Sequence, residues 1–273
     1  MNSRIAGVIG WPAAHSLSPK LHGYWLRTLG VGGEYVAWPV RPEALESFIT
    51  TMAGKGFAGC NVTIPHKEAV FNLLRKIGEV DDTAIHAGAV NTIIVKTGGI
   101  LHGTNTDVYG FTENVRPHLT GKNKAVIFGA GGAARAIGRA LIDLAFNTII
   151  IANRTLARAD AIGQQFGRRL EIASWQERAA LLENSDLLVN ATSLGMAGKP
   201  PLEIDLSSLP GHALVTDVVY TPLETPLLAE ARARGNPAVD GLGMLLHQAA
   251  PGFAAWFGVK PEVTDALRRY MLA

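Results

Sequence analysis

The stretch that most constrains this 273-residue chain is Lys124-Ala125-Val126-Ile127-Phe128. It runs directly into Gly129-Ala130-Gly131-Gly132-Ala133-Ala134, and Arg135-Ala136-Ile137-Gly138-Arg139-Ala140-Leu141 follows. The first segment is apolar enough to be a buried parallel strand, and the third is a good helix former. Strand passing at once into helix is the unit of an α/β fold with a parallel sheet and right-handed crossovers. The glycines between them add chemistry. Gly129 allows a tight turn, Gly131 lets backbone approach a pyrophosphate with no Cβ in the way, and Ala134 keeps the helix close to the strand. The helix N-terminus then turns free N–H groups toward phosphate oxygens. Gly-x-Gly-x-x-Ala alone also suits an ordinary turn. With strand and helix both in place, it reads as a dinucleotide-binding loop formed by Gly129, Ala130, Gly131, Gly132 and Ala133.

The next strand ends at Ala152-Asn153-Arg154-Thr155. An NAD site places Asp or Glu there, about 20 residues past the glycines, to bond the ribose 2′-hydroxyl. This chain has Asn153 and Arg154 instead, with Arg158 four residues on. A carboxylate would repel a 2′-phosphate, whereas guanidinium groups bind one in a forked geometry. The expected cofactor is therefore NADP(H).

The same alternation extends through the chain. Ile5–Ile9, Tyr35–Val40, Cys60–Ile64 and Asn91–Val95 read as strands, with helices at Pro19–Leu29 and Pro42–Ala53. Proline opens each helix, and Ser18 is a candidate N-cap. Gly98-Gly99 reads as a hairpin turn before Leu101. Thr148–Ala152, Leu187–Asn190 and Leu214–Val219 read as further buried parallel strands, with helices at Ala133–Ala145, Leu156–Phe166 and Trp175–Leu182. Polar Thr120-Gly121-Lys122-Asn123 breaks the pattern, so two α/β domains are expected, meeting near 104–122.

Composition narrows the partners. The 25 Lys and Arg nearly balance 23 Asp and Glu, and no basic run suggests nucleic acid. The single cysteine, Cys60, excludes an internal disulfide and a cysteine-based metal site. The opening residues Met1–Val8 reach Trp11-Pro12 too soon for a signal peptide. The uncharged stretch Gly241–Val259 carries Pro251, His247 and Gln248, so it reads as a buried helix interrupted near Pro251, not a membrane span. A cytoplasmic enzyme or binding protein is expected.

Four segments hold polar groups that packing does not demand: His15-Ser16-Leu17-Ser18-Pro19, Asn61-Val62-Thr63-Ile64-Pro65-His66-Lys67, Asn91-Thr92, and Thr104-Asn105-Thr106-Asp107-Val108-Tyr109-Gly110. Each alone has a plain explanation. Ser18 and Asp107 suit helix caps, Lys67 suits a solvated surface, and Asn91 suits a loop. Their joint occurrence beside a nucleotide fold points to a substrate site.

These segments resemble the shikimate dehydrogenase family. So do Gly88-Ala89-Val90-Asn91-Thr92, Asn190-Ala191-Thr192-Ser193-Leu194-Gly195-Met196, Asp217-Val218-Val219-Tyr220-Thr221-Pro222 and Gly241-Leu242-Gly243-Met244-Leu245-Leu246-His247-Gln248. They follow the family's order from residue 16 to 248. The resemblance implies a substrate domain at 1–104 completed by helices at 239–273, and a Rossmann-like NADP domain at 105–238. It implies reduction of 3-dehydroshikimate to shikimate by NADPH in aromatic amino-acid biosynthesis, with no metal, in a monomer or homodimer. By matching position, Lys67 and Asp107 would be the catalytic pair. Ser16 and Ser18 would hold the substrate carboxylate, and Thr63, Lys67, Asn91, Asp107 and Gln248 the ring hydroxyls, with Tyr220 nearby. Asn153, Arg154, Thr155, Arg158, Thr192, Met196, Val218 and Gly241 would complete the cofactor site. His66 departs from the common pattern and stands beside Lys67 as a rival proton donor. A quinate/shikimate or aminoshikimate dehydrogenase, and an NADP sensor without turnover, are the alternative readings.

Overall fold

The computed structural model describes residues 4–14 and 16–273, so His15 and Met1–Ser3 lie outside the described residues. The chain forms two compact units, Met1–Thr106 with Leu246–Ala273, and Asp107–Leu245.

The first unit is built on strands β1 (Arg4–Gly10), β2 (Gly33–Pro39), β3 (Phe57–Val62), β4 (Glu79–Val80), β5 (Thr92–Val95) and β6 (Leu101–Thr104). Helices α1 (Ser18–Thr28), α2 (Leu45–Thr51), α3 (Lys67–Ile77) and α4 (Asp82–Ala87) connect them. The sheet order is β2-β1-β3-β5-β6-β4. β1 pairs parallel with β2 and β3, but β5 is antiparallel to both β3 and β6. The β5–β6 pair is the expected hairpin, whereas the antiparallel pairing of β5 with β3 departs from the parallel pattern that strand–helix alternation implies. The hairpin at Gly98-Gly99, with φ 81° and 80°, turns the chain from β5 back into β6.

Helical periodicity explains the packing. α1 buries Leu21, His22 and Trp25, while α3 buries Val70, Phe71 and Leu74. α1 begins at Ser18, so Ser18 is not its N-cap. Ser16 Oγ instead accepts the Ser18 N–H at 3.2 Å. The expected helix at Pro42–Ala53 begins as a 3₁₀ turn, Pro42–Ala44, before α2.

α9 (Leu242–Phe257) runs through Pro251 without the expected interruption, and α10 (Asp265–Leu272) follows. The returning chain docks through Trp256, whose Nε1–H donates to the Ile93 carbonyl at 2.9 Å. Gly59 makes room for this bond. Its φ is +151°, and a Cβ there would collide with both Ile93 O and Trp256 Nε1.

The second unit holds α5 (Asp107–Val115), β7 (Lys124–Phe128), α6 (Gly132–Asp143), β8 (Thr148–Asn153), α7 (Leu156–Phe166), β9 (Glu171–Ser174), β10 (Leu187–Asn190), β11 (Leu214–Asp217), α8 (Pro226–Ala233) and β12 (Ala238–Val239). Its sheet order is β12-β11-β10-β7-β8-β9, with every pairing parallel. This is the doubly wound order, whose strand sequence reverses at β7 and β10. Trp175–Leu182 forms two 3₁₀ turns, not one helix. A Ser174–Glu177 capping box closes the first, and so short a polar segment does not propagate an α-helix. β11 stops at Asp217, short of the expected Val219, because the Asp217 carboxylate takes the Val219 N–H at 2.9 Å and turns the chain. Among the described residues, no helix is long and apolar enough to cross a membrane.

Candidate functional site

Register places the second unit's polar residues along one edge. Phe128 pairs with Ala152 and with Asn190, and Asn190 pairs with Asp217. The strands therefore end level, and the residues after them emerge together at the carboxyl edge, where open α/β sheets bind ligands. Those are Gly129 after β7, Arg154 and Thr155 after β8, Thr192 after β10 and Val218 after β11.

The glycines of the turn have separate roles. Gly129 has φ +107°, and a Cβ there would crowd Thr192 Cγ2 and the Ala191 carbonyl, so the fold itself requires glycine. Gly131 and Gly132 are exposed, and a Cβ at either would meet nothing within 4 Å. Protein packing does not explain them. The open space lies at the N-terminus of α6, whose N-cap is Gly131 with no side-chain cap. This cradle fits a pyrophosphate. Arg154 and Arg158 are exposed and enter no ion pair among the described residues, which suits a ribose 2′-phosphate. Asn153 Nδ2 donates to the Thr155 carbonyl at 2.8 Å, and Arg158 N to Thr155 O at 3.1 Å, shaping that turn.

Asp217 organises the neighbouring loops. It is 1% exposed, and both its oxygens accept from Asn190 Nδ2, at 3.0 and 3.1 Å. Thr225 Oγ1 donates to it at 2.8 Å. Burial raises its pKa, while these donors pull the other way. Asn190 Oδ1 accepts from Thr192 N and Oγ1, and Val218 N donates to Asn190 O. Gly241 packs on the same turn, since a Cβ there would meet the carbonyls of Val218 and Asp217. Met196 is exposed and Tyr220 half-buried, with burial raising the Tyr220 pKa. The sequence reading lists Asp217 and Asn190 only within motifs. An acid inside an apolar strand is the signal that would have singled it out.

The first unit has a comparable edge, and the reversed β5 creates it. Asn61 pairs with Thr92, and Thr92 with Thr104. The start of β5 therefore meets the ends of β3 and β6. Thr63, Asn91, Asn105 and Thr106 gather there, and Asp107 follows in sequence to open α5. Asn91 Oδ1 accepts the Thr106 N–H at 2.8 Å, and its Nδ2 donates to Thr106 Oγ1 at 3.1 Å. Thr106 Oγ1 reaches Gln248 Oε1 at 3.4 Å across 142 residues of sequence. Deeper in, Tyr35 Oη donates to Asn61 Oδ1 at 2.6 Å, and Asn61 Nδ2 to Thr92 Oγ1 at 3.0 Å. Sequence reasoning does not reach Tyr35, because its partner lies on another strand.

Lys67 is half-buried at the start of α3, its carbonyl accepting from Val90 N at 3.0 Å. His66 is 1% exposed, with Nε2 2.7 Å from the Val40 carbonyl. A carbonyl only accepts, so Nε2 carries the hydrogen and the ring is committed to structure. That bond ties the Nε2–H of His66 to the fold, which speaks against the rival proton-donor role its position beside Lys67 suggests.

Comparison with known proteins identifies the family. Three family models match in chain order: a shikimate dehydrogenase substrate binding domain over residues 8–93, shikimate/quinate 5-dehydrogenase over 113–196, and a shikimate 5′-dehydrogenase C-terminal domain over 241–269. A shikimate dehydrogenase (NADP(+)) of Paramagnetospirillum magneticum is 50% identical, covering 99% of each chain. The Thermus thermophilus shikimate 5-dehydrogenase, solved with NADP(H) and shikimate, is 36% identical with TM-score 0.86, covering 98% of this chain and 99% of that one. A quinate dehydrogenase of Corynebacterium glutamicum, solved with NAD, is 31% identical with TM-score 0.90 over 99% of each.

Proposed function

The chain belongs to the shikimate dehydrogenase family, and on that premise we propose that it interconverts 3-dehydroshikimate and shikimate with NADP(H), using Lys67 and Asp107 as its catalytic pair. The observation that carries the activity is identity of about half, over nearly the full length, with relatives named for it. Arg154 and Arg158, where an NAD site has an acid, support the NADP choice over the NAD-linked quinate reading. The domain assignment, substrate to 1–104 with 239–273 and cofactor to 105–238, is part of this proposal. So is a cytoplasmic location, supported by the lone buried cysteine.

Bound NADPH supplies the hydride that the reduction consumes. The carbonyl oxygen being reduced also needs a proton, and the Lys67 ammonium Nζ donates it. Before that, its positive charge polarises the same oxygen. Asp107 is assigned a ring hydroxyl of the substrate. Ser16 and Ser18 receive the substrate carboxylate, and Thr63, Asn91 and Gln248 the hydroxyls, and Tyr220 is assigned as a further substrate-binding residue. The hydrogen bonds that preset Asn91 and Gln248 through Thr106 support their positioning role.

Initial rates at 340 nm with shikimate or quinate, each with NADP or NAD, test this reading. Shikimate with NADP should be fastest, with kcat/KM about tenfold or more above NAD. A preference for NAD, or no rate with any pairing, would overturn it.

Gly131→Ala isolates the cradle. The Gly131 backbone, φ −97° and ψ −171°, suits alanine, and the new methyl meets no protein atom. Stability should hold or rise slightly, by up to ~1 kcal/mol. NADPH affinity should fall about tenfold, because the methyl occupies the phosphate's place. Titration by NADPH fluorescence, alongside a melting curve, separates the two effects. Unchanged affinity would remove Gly131 from the site.

A further inference from the structure

We infer that Asp217 is a positioning residue for the nicotinamide half of the cofactor, acting through Asn190 on Thr192 and Val218. The inference rests on the cofactor reading above and assigns a role to a residue that reading leaves unused.

A doubly wound sheet has two nucleotide-binding halves. In this chain β7, β8 and β9 carry the glycine turn and Arg154, the half that suits the adenosine 2′-phosphate. β10, β11 and β12 form the other half, whose carboxyl-edge loops begin at Ala191 and Val218. Asp217 and Asn190 sit opposite each other in register at the ends of β11 and β10. The Asn190 amide is fully committed: Nδ2 donates to Asp217 and to Leu194 O, while Oδ1 accepts from Thr192 N and Oγ1. Thr192 Oγ1 in turn accepts the Leu194 N–H at 3.0 Å. Asp217 orients Asn190, and Asn190 holds the loop carrying Thr192. The same carboxylate ties Val219 N and Thr225 Oγ1, which hold the loop carrying Val218.

The roles are polarised. Every contact to Asp217 is a donor, so a carboxylate is the matched side chain and a carboxamide is not. Asp217→Asn would set an amide N–H against the Asn190 amide or the Val219 N–H. Asn190→Asp would set two buried carboxylates together. Exchanging both residues restores a donor facing an acceptor between the two strands, with the acid now receiving Thr192, while the Leu194 carbonyl loses the N–H that Asn190 gave it.

The experiment compares Asp217→Asn, Asn190→Asp and the double exchange with wild type in the full chain. It measures kcat/KM for NADPH, KM for shikimate, and inhibition by adenosine 2′,5′-bisphosphate, which occupies only the adenosine half. Asp217→Asn should lower kcat/KM for NADPH by about tenfold or more. The inhibition constant and the shikimate KM should stay within about twofold. The double exchange should recover part of the loss seen in the worse single, since it separates the two carboxylates but not the acid from the Leu194 carbonyl, a rescue that general destabilisation does not produce. Wild-type kcat/KM in Asp217→Asn would overturn the inference, as would an equal loss of bisphosphate binding or a double variant no better than the worse single. The wild-type rate assay serves as the reference: if no NADP-linked rate is found, the cofactor reading fails. If only Asp217→Asn is silent, this inference fails alone.

Discussion

Lys67→Ala is expected to lower kcat by about 10²-fold or more while leaving NADPH affinity nearly unchanged. The magnitude is that of a positioned general acid, typically ~10²–10⁴-fold. The surroundings make the variant interpretable. The Lys67 backbone is held by Val90 N at its carbonyl, independently of the side chain. The side chain is half-buried, so shortening it opens no large core cavity. His66 does not take over, because its Nε2–H is spent on Val40 O in a buried position. The residues proposed to hold the cofactor belong to the other unit and should bind as before. Stopped-flow reduction with saturating NADPH, together with NADPH titration, checks both halves of the statement. A variant that kept wild-type kcat would remove Lys67 from proton transfer.

What was legible in advance follows from how local each determinant is. The β7 turn was readable because strand pattern, glycine positions and helix pattern fall within adjacent residues and agree. Arg154 was readable because its meaning depends only on distance from that turn. The substrate edge was less so. The hairpin at Gly98-Gly99 is visible, but not the antiparallel pairing of β5 with β3, set by the connection before β5, which carries Asn91 to the ends of β3 and β6. Asp217 shows in sequence as an acid inside an apolar run. Its partners Asn190 and Thr225 lie 27 and 8 residues away, so only the register of β10 and β11 reveals the bond. Trp175–Leu182 misled because periodicity over so short a span does not separate a helix from successive 3₁₀ turns. Ser18 misleads for a similar reason: it is the first residue of the helix, and Ser16 Oγ, two residues earlier, accepts its N–H.

His22 should make the protein acid-sensitive, and His22→Leu should remove that part of the sensitivity. The ring is fully buried, stacked on Tyr35 with centroids 3.9 Å apart and planes at 7°, among Trp25, Phe253 and Trp256. Among the described residues, neither ring nitrogen makes a well-formed hydrogen bond. Burial lowers its pKa to about 3, opposed only in part by Asn61, whose amide already serves Tyr35 and Thr92. An unfolded histidine titrates near 6.5. Below that pH the unfolded chain binds a proton that the folded chain refuses until about pH 3. The neutral ring therefore leaves stability intact above pH 6.5, and stability is lost as pH falls from 6.5 toward 3. At ~1.4 kcal/mol per pH unit, this one group should remove about 2 kcal/mol between pH 7 and pH 5. Urea unfolding followed by tryptophan fluorescence at both pH values, in wild type and His22→Leu, measures it. Leucine costs stability at both pH values through lost stacking, and that constant cancels in the pH difference. The wild type should lose about 2 kcal/mol more than the variant on acidification. An equal loss in both would mean that His22 is not the residue whose protonation acid unfolding exploits.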